Sequence, residues 1–165
     1  MALLKETLQA ELTTIYEKGP LGNPDCTLVG IQTAKAYLTY CATGQNALGM
    51  PMTAMPGSVL LGQTLGTILF VFSPSGSLTA VKMASAFELC LLTFMSTFQL
   101  AIVPGPFKQI LELNLNIYLN KPSITGTEFA SNFAMALHLA TTAPAIQVSG
   151  IAPGLPPIPF TGPIS

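Results

Sequence analysis

Residues 84–105, ASAFELCLLTFMSTFQLAIVPG, decide the fold, because both ends of this stretch recur elsewhere in the chain. The opening Ala84-Ser85-Ala86-Phe87 has counterparts in Ala34-Lys35-Ala36-Tyr37 and Ala130-Ser131-Asn132-Phe133, at offsets of 50 and 46 residues. The closing Val103-Pro104-Gly105 has counterparts in Met55-Pro56-Gly57 and Ala152-Pro153-Gly154, at offsets of 48 and 49 residues. Two separated elements that keep nearly one spacing predict a repeated supersecondary unit. Each unit reads as a helix, an apolar turn and a second element, with units starting near residues 27, 77 and 127.

Local signals fill in the units. Asp25 suits the N-cap of a first helix that carries Leu28, Ile31, Leu38 and Cys41 on one side, with Gly44 closing it. Ser77 takes the capping position in the second unit, and Thr125-Gly126-Thr127-Glu128 matches a capping box that starts a helix near Thr127. Of the second elements, residues 58–70 (SVLLGQTLGTILF) read as helix. In residues 107–120, Leu111, Leu113, Leu115, Ile117 and Leu119 alternate with polar neighbours, which is a strand signal. Pro106 at a first helical position and the helical counterpart in the first unit favour helix there instead. Ahead of the units, residues 2–18 form an amphipathic helix with Leu4, Leu8, Leu12, Ile15 and Tyr16 on one face.

The third unit shows no second element. Residues 144–165 hold six prolines, three glycines and no charge, which excludes a helix and favours extended backbone. This arm carries Ile146, Val148, Ile151, Leu155, Ile158, Phe160 and Ile164, whereas disordered tails are polar. Burying such side chains contributes roughly 1.5–3 kcal/mol each, and ordering the backbone costs about 1–2 kcal/mol per residue. The arm is therefore expected to dock in a preformed groove, on a neighbouring subunit or on the chain's own bundle. Removal after Ala143 is expected to leave the helices folded, and loss of the helix signal would place the arm on its own bundle. The expected architecture is mainly α: a small helical bundle of repeated helix-turn-helix-like units over residues 1–143, then an extended Pro-rich C-terminal arm over 144–165.

Composition bounds the function. Half of the 165 residues are hydrophobic and only 8% are charged, against roughly 25% in an ordinary soluble domain. No charge occurs from Tyr37 to Val81 or from Phe129 to Ser165. Charge depletion of this kind marks the buried centre of subunit interfaces. The net charge is −1, there is no Arg, and the six Lys are scattered, so no footprint for nucleic acid exists. Cys26, Cys41 and Cys90 are odd in number and lack a metal-binding spacing; they read as small core residues in a reducing compartment. Residues 1–18 mix both charge signs without an apolar core, unlike a signal peptide.

Catalytic chemistry has little to draw on. His138 lies between Leu137 and Leu139 with no charged residue after Glu128, and reads as a polar tip at a packed surface. Glu88 and Glu112 are isolated carboxylates expected to face water or pair with Lys82 or Lys108. Gly62-Gln63-Thr64-Leu65-Gly66 has the outline of a nucleophile elbow, but it lacks the serine and the preceding strand. Gly62 and Gly66 read better as a small-residue face for close helix approach. No catalytic, cofactor-binding or metal-binding residue is assigned. The interface candidates are Ile151, Leu155, Ile158, Phe160, Ile164, Gly62 and Gly66.

The Lys/Glu-bearing first helix, the Ala-rich helices ending in Met-Pro-Gly or Val-Pro-Gly-Pro, and the tail GIAPGLPPIPFTGPIS resemble small structural proteins of tailed bacteriophage particles. The resemblance covers most of the chain in style and transfers no functional residue. It implies a non-enzymatic virion component of tail, baseplate or neck, assembled in the host cytoplasm, with other virion proteins and copies of itself as partners. The rival reading is a small integral membrane protein. Against it, Leu89 to Val103 gives only fifteen residues before Pro104, short of the roughly 20 a spanning helix needs.

Overall fold

The computed structural model describes residues 3–17, 25–53, 57–71 and 75–165. Among them are six helices: α1 (Lys5–Tyr16), α2 (Cys26–Ala42), α3 (Gly57–Phe70), α4 (Gly76–Leu91), α5 (Phe107–Leu119) and α6 (Gly126–Thr141). Five short strands accompany them: β1 (Met52–Thr53), β2 (Met95–Ser96), β3 (Gln99–Val103), β4 (Gln147–Ala152) and β5 (Ile158–Pro163). The fold is mainly α, and residues 107–119 are helical.

The repeat is closer than the sequence pattern implied. The caps of α2, α4 and α6 are Asp25, Ser75 and Thr125, each 50 residues from the next, and each side chain accepts a backbone N–H of the first turn. The second cap is thus Ser75, not Ser77. Each of these helices buries seven residues at matching positions: Gly30, Thr33, Ala34, Ala36, Tyr37, Tyr40 and Cys41 in α2, and the residues 50 and 100 positions later in α4 and α6. The counterpart of Ala34-Lys35-Ala36-Tyr37 in the third unit is therefore Ala134-Met135-Ala136-Leu137, not Ala130-Ser131-Asn132-Phe133. The misreading has a physical cause. A shift of four residues is one helical turn and returns side chains to the same face, so the apolar pattern fits both registers.

The second helix of the third unit exists, but it comes from the other end of the chain. Leu61 and Leu65 of α3 and Leu111 and Leu115 of α5 are buried 50 residues apart, and Leu8 and Leu12 of α1 repeat the same four-residue spacing. α3 packs on α2, α5 on α4, and α1 on α6; each pair packs on the next, so the six helices close a ring with approximate threefold symmetry. Tyr16 fastens the closure. Its ring meets Phe129 and Phe133 of α6 edge-on at 5.0 and 6.3 Å, and its hydroxyl lies 3.0 Å from Thr33 Oγ1 of α2. Burial pushes the Tyr16 phenol up to about 12.

Aromatic side chains fill the middle of the ring. Tyr37 packs edge-on to Phe87 at 5.0 Å, and Phe87 edge-on to Phe133 at 5.6 Å. The Tyr37 hydroxyl is hydrogen-bonded to Thr141 at 3.1 Å, so one member of the cluster ties the first unit to the third. Such pairs add about 0.5–1.5 kcal/mol each beyond the area they bury. Cys41 and Cys90 are buried, and burial raises both thiols.

Candidate interaction surface

The strands all lie in the connections that follow α2, α4 and α6, and they knit the three units together at one end of the ring. β1 pairs antiparallel with β2, joining unit one to unit two. β3 pairs with β4, joining unit two to unit three, and β4 pairs with β5 in a hairpin. Beyond β5, Ser165 and Gln45 exchange two backbone hydrogen bonds at 2.8 and 3.1 Å, which returns the chain to unit one. Of the two seats open to the arm, its own bundle and a neighbouring subunit, Ile146, Val148, Phe160 and Ile164 take the first. Proline suits this arm because β5 is an edge strand that tolerates missing N–H donors.

The hairpin divides the interface candidates. Phe160 and Ile164 are 9% and 4% exposed, and Ile146 and Val148 are fully covered, so these residues belong to the core. Ile151 and Ile158 flank the turn of the hairpin and Leu155 lies within it; all three are exposed, Leu155 wholly. Gly62 and Gly66 are also taken up inside the chain. A Cβ on Gly30 would stand 2.5 Å from the Gly62 carbonyl oxygen and against the backbone of Gly66. The small-residue face therefore seats α3 on α2 within one chain rather than joining subunits.

Elsewhere on the strands and turns of this end, Met95, Phe98, Leu100 and Val103 are exposed as well. None of these four is among the interface candidates of the sequence, because residues 87–103 read there as one apolar run. The signal that separates them is Thr93, whose hydroxyl donates to the Cys90 carbonyl at 2.7 Å and helps end α4. Gln99 then fixes the turn after β2: its Oε1 accepts from Ser96 N–H and its Nε2 donates to the Phe94 carbonyl, both at 2.9 Å. Phe98 sits at φ 66°, a region that costs a bulky residue strain, and its carbonyl accepts the Ile151 N–H at 3.0 Å. The apolar side chains of this end are thereby held in place. Residues 43–53, 92–106 and 142–165, the described connections at this end, contain no Asp, Glu, Lys, Arg or His.

The isolated polar groups serve local structure. His138 is half-buried, with Nδ1 2.7 Å from the Tyr40 hydroxyl of α2. Burial lowers the imidazole below its ordinary value; the Lys5 ammonium acts in the same direction and the Glu6 carboxylate against it. Glu88, 50 residues earlier, accepts the Lys108 backbone N–H at 3.2 Å and so helps satisfy the start of α5. The two positions are equivalent in the repeat but differ in partner: Glu88 bonds the partner helix of its own unit, and His138 bonds Tyr40 of the next. Among the described residues no three His, Cys, Asp or Glu side chains come together in a metal-binding group, and no helix is long and apolar enough to cross a membrane.

No protein-family model, curated protein or solved structure matches the chain.

Proposed function

We propose that the chain is a non-enzymatic structural subunit of a large symmetric assembly, of the kind that builds the tail, baseplate or neck of a tailed bacteriophage. The observation that carries this reading is the uncharged β-bearing end of the ring. It combines a core that closes on itself with outward-facing Met95, Phe98, Leu100, Ile151, Leu155 and Ile158. Isolated exposed apolar residues are ordinary, whereas several held on one uncharged end favour a partner surface. The resemblance to phage structural proteins supplies the kind of assembly, with other virion proteins and copies of itself as neighbours. His138 and Glu88 fit the non-enzymatic reading, because each already has a structural partner.

Fractionation of the producing cells tests the proposal. Recovery of the chain with sedimenting particles, in many copies per particle, is the expected result. Retention in membranes after carbonate washing would instead favour the membrane reading.

A further inference from the structure

We infer that the free edge of β3 pairs antiparallel with the same edge of a second copy of the chain. The three-stranded sheet has the order β3-β4-β5, so β3 and β5 are its two edges. Their chemistry differs.

On β5, Pro159 and Pro163 stand opposite Ile151 and Gln147 of β4. A proline fits a paired strand only where its nitrogen faces away from the ladder. Positions 159, 161 and 163 therefore face outward, and of these three only Thr161 has an N–H to offer. That edge is closed to strand addition.

The same alternation fixes β3. If the even residues of β4 bond to β5, its odd residues bond to β3, and the Ile151 N–H donated to the Phe98 carbonyl agrees. Val103 and Ala101, opposite Gln147 and Ser149, then make the ladder with β4. Ile102 turns its amide outward, and Leu100 is the unpaired residue at the register shift between Gln99 and Ala101. Among the described residues no backbone hydrogen bond reaches this outer edge. Apart from the bulge at Leu100 it lacks the usual protections: residues 99–103, QLAIV, contain neither proline nor charge, and Leu100 is 73% exposed.

A second copy is the occupant that this chemistry fits. An uncharged edge meets its own image without like-charge repulsion. Because β5 is closed, edge-to-edge addition cannot run on into a filament, and β3 against β3 leaves no open edge in the joined sheet. A twofold axis at Ala101 sets Leu100 of one copy against Ile102 of the other, with the two Ala101 residues as a non-hydrogen-bonded pair. The inference rests on the assembly reading in naming a contact between copies. Its test uses the purified full chain without particles, so failure here leaves particle incorporation to be judged separately.

Cα atoms of a non-hydrogen-bonded antiparallel pair stand about 4.5 Å apart, within the range a disulfide spans. Ala101→Cys under mild oxidation is expected to give mostly disulfide-linked dimer, while Thr161→Cys on the closed edge and the unaltered chain stay unlinked. Adding Leu100→Lys to Ala101→Cys should cut the linked species at least tenfold, with the far-ultraviolet helix signal and melting temperature kept. Three results would overturn the inference: no linked dimer from Ala101→Cys, equal linking from Thr161→Cys, or linking undiminished by Leu100→Lys in the folded protein.

Discussion

Leu3 and Ile164 meet over Gly44: a methyl carbon of each lies 3.0 and 3.1 Å from where a Gly44 Cβ would stand. One residue enters α1 and the other ends the arm, so the ring is sealed where the two ends of the described chain converge on unit one. The Cys41 carbonyl, 3.1 Å from the same point, closes the third side. Gly44→Val is expected to force these neighbours apart and to cost about 1–3 kcal/mol, the usual penalty for overpacking. Urea unfolding of the purified chain checks it, and an unchanged midpoint contradicts it.

Gly30→Ala sets two effects against each other. In an exposed helix the change would stabilise by up to about 1 kcal/mol, because alanine has the higher helix propensity. At Gly30 the new methyl meets the backbone of Gly62 and Gly66, which cannot swing aside as a side chain can. The seam between α2 and α3 must part, and the net effect is expected to be a loss of about 1–3 kcal/mol. A melting temperature at or above wild type would show that the seam is looser than the geometry says.

Truncation after Ala143 removes Ile146, Val148, Phe160 and Ile164, all buried. At roughly 1.5–3 kcal/mol each, their loss is comparable to the whole stability of a domain, about 5–15 kcal/mol. The shortened chain is expected to lose most of its cooperative unfolding transition, seen by circular dichroism. Retention of a wild-type transition would mean that the arm contributes little to the fold.

The arm illustrates what was legible in the sequence and what was not. Its extended character followed from proline density, and its need for a seat from its apolar content. Where that seat lay depended on long-range pairing of Gln147–Val148 with Pro163–Gly162 and of Ser165 with Gln45, which no local pattern encodes. The helices were legible from caps and periodicity, including residues 107–119 despite their alternation. The missing partner of α6 was not, since α1 resembles α3 and α5 mainly in a pair of leucines four residues apart. Among the interface candidates, hydrophobicity alone could not separate Phe160, which the bundle covers, from Ile158, two residues nearer the turn and exposed.

His138 gives a signed pH dependence. Its imidazole titrates lower in the folded chain than its ordinary value of 6.5, so the unfolded chain binds the proton more readily. Stability from this group is complete above about 6.5 and is lost as pH falls from there through the lowered folded value. His138→Gln is expected to flatten the fall in melting temperature just below pH 6.5 while leaving the stability at pH 8 within about 1.5 kcal/mol of wild type, the size of the hydrogen bond to Tyr40. An identical slope in the two proteins would remove His138 from the account.

The central claim, that the uncharged end of the ring is an assembly surface, is tested most directly by incorporation of a Leu155→Glu, Ile158→Glu double variant into particles. Both side chains are exposed, so the variant should match the unaltered chain in helix signal and melting temperature. Quantified by immunoblot of gradient-purified particles from cells making either form, it is expected to be incorporated at least tenfold less. Incorporation of the folded variant at the unaltered level would contradict the claim.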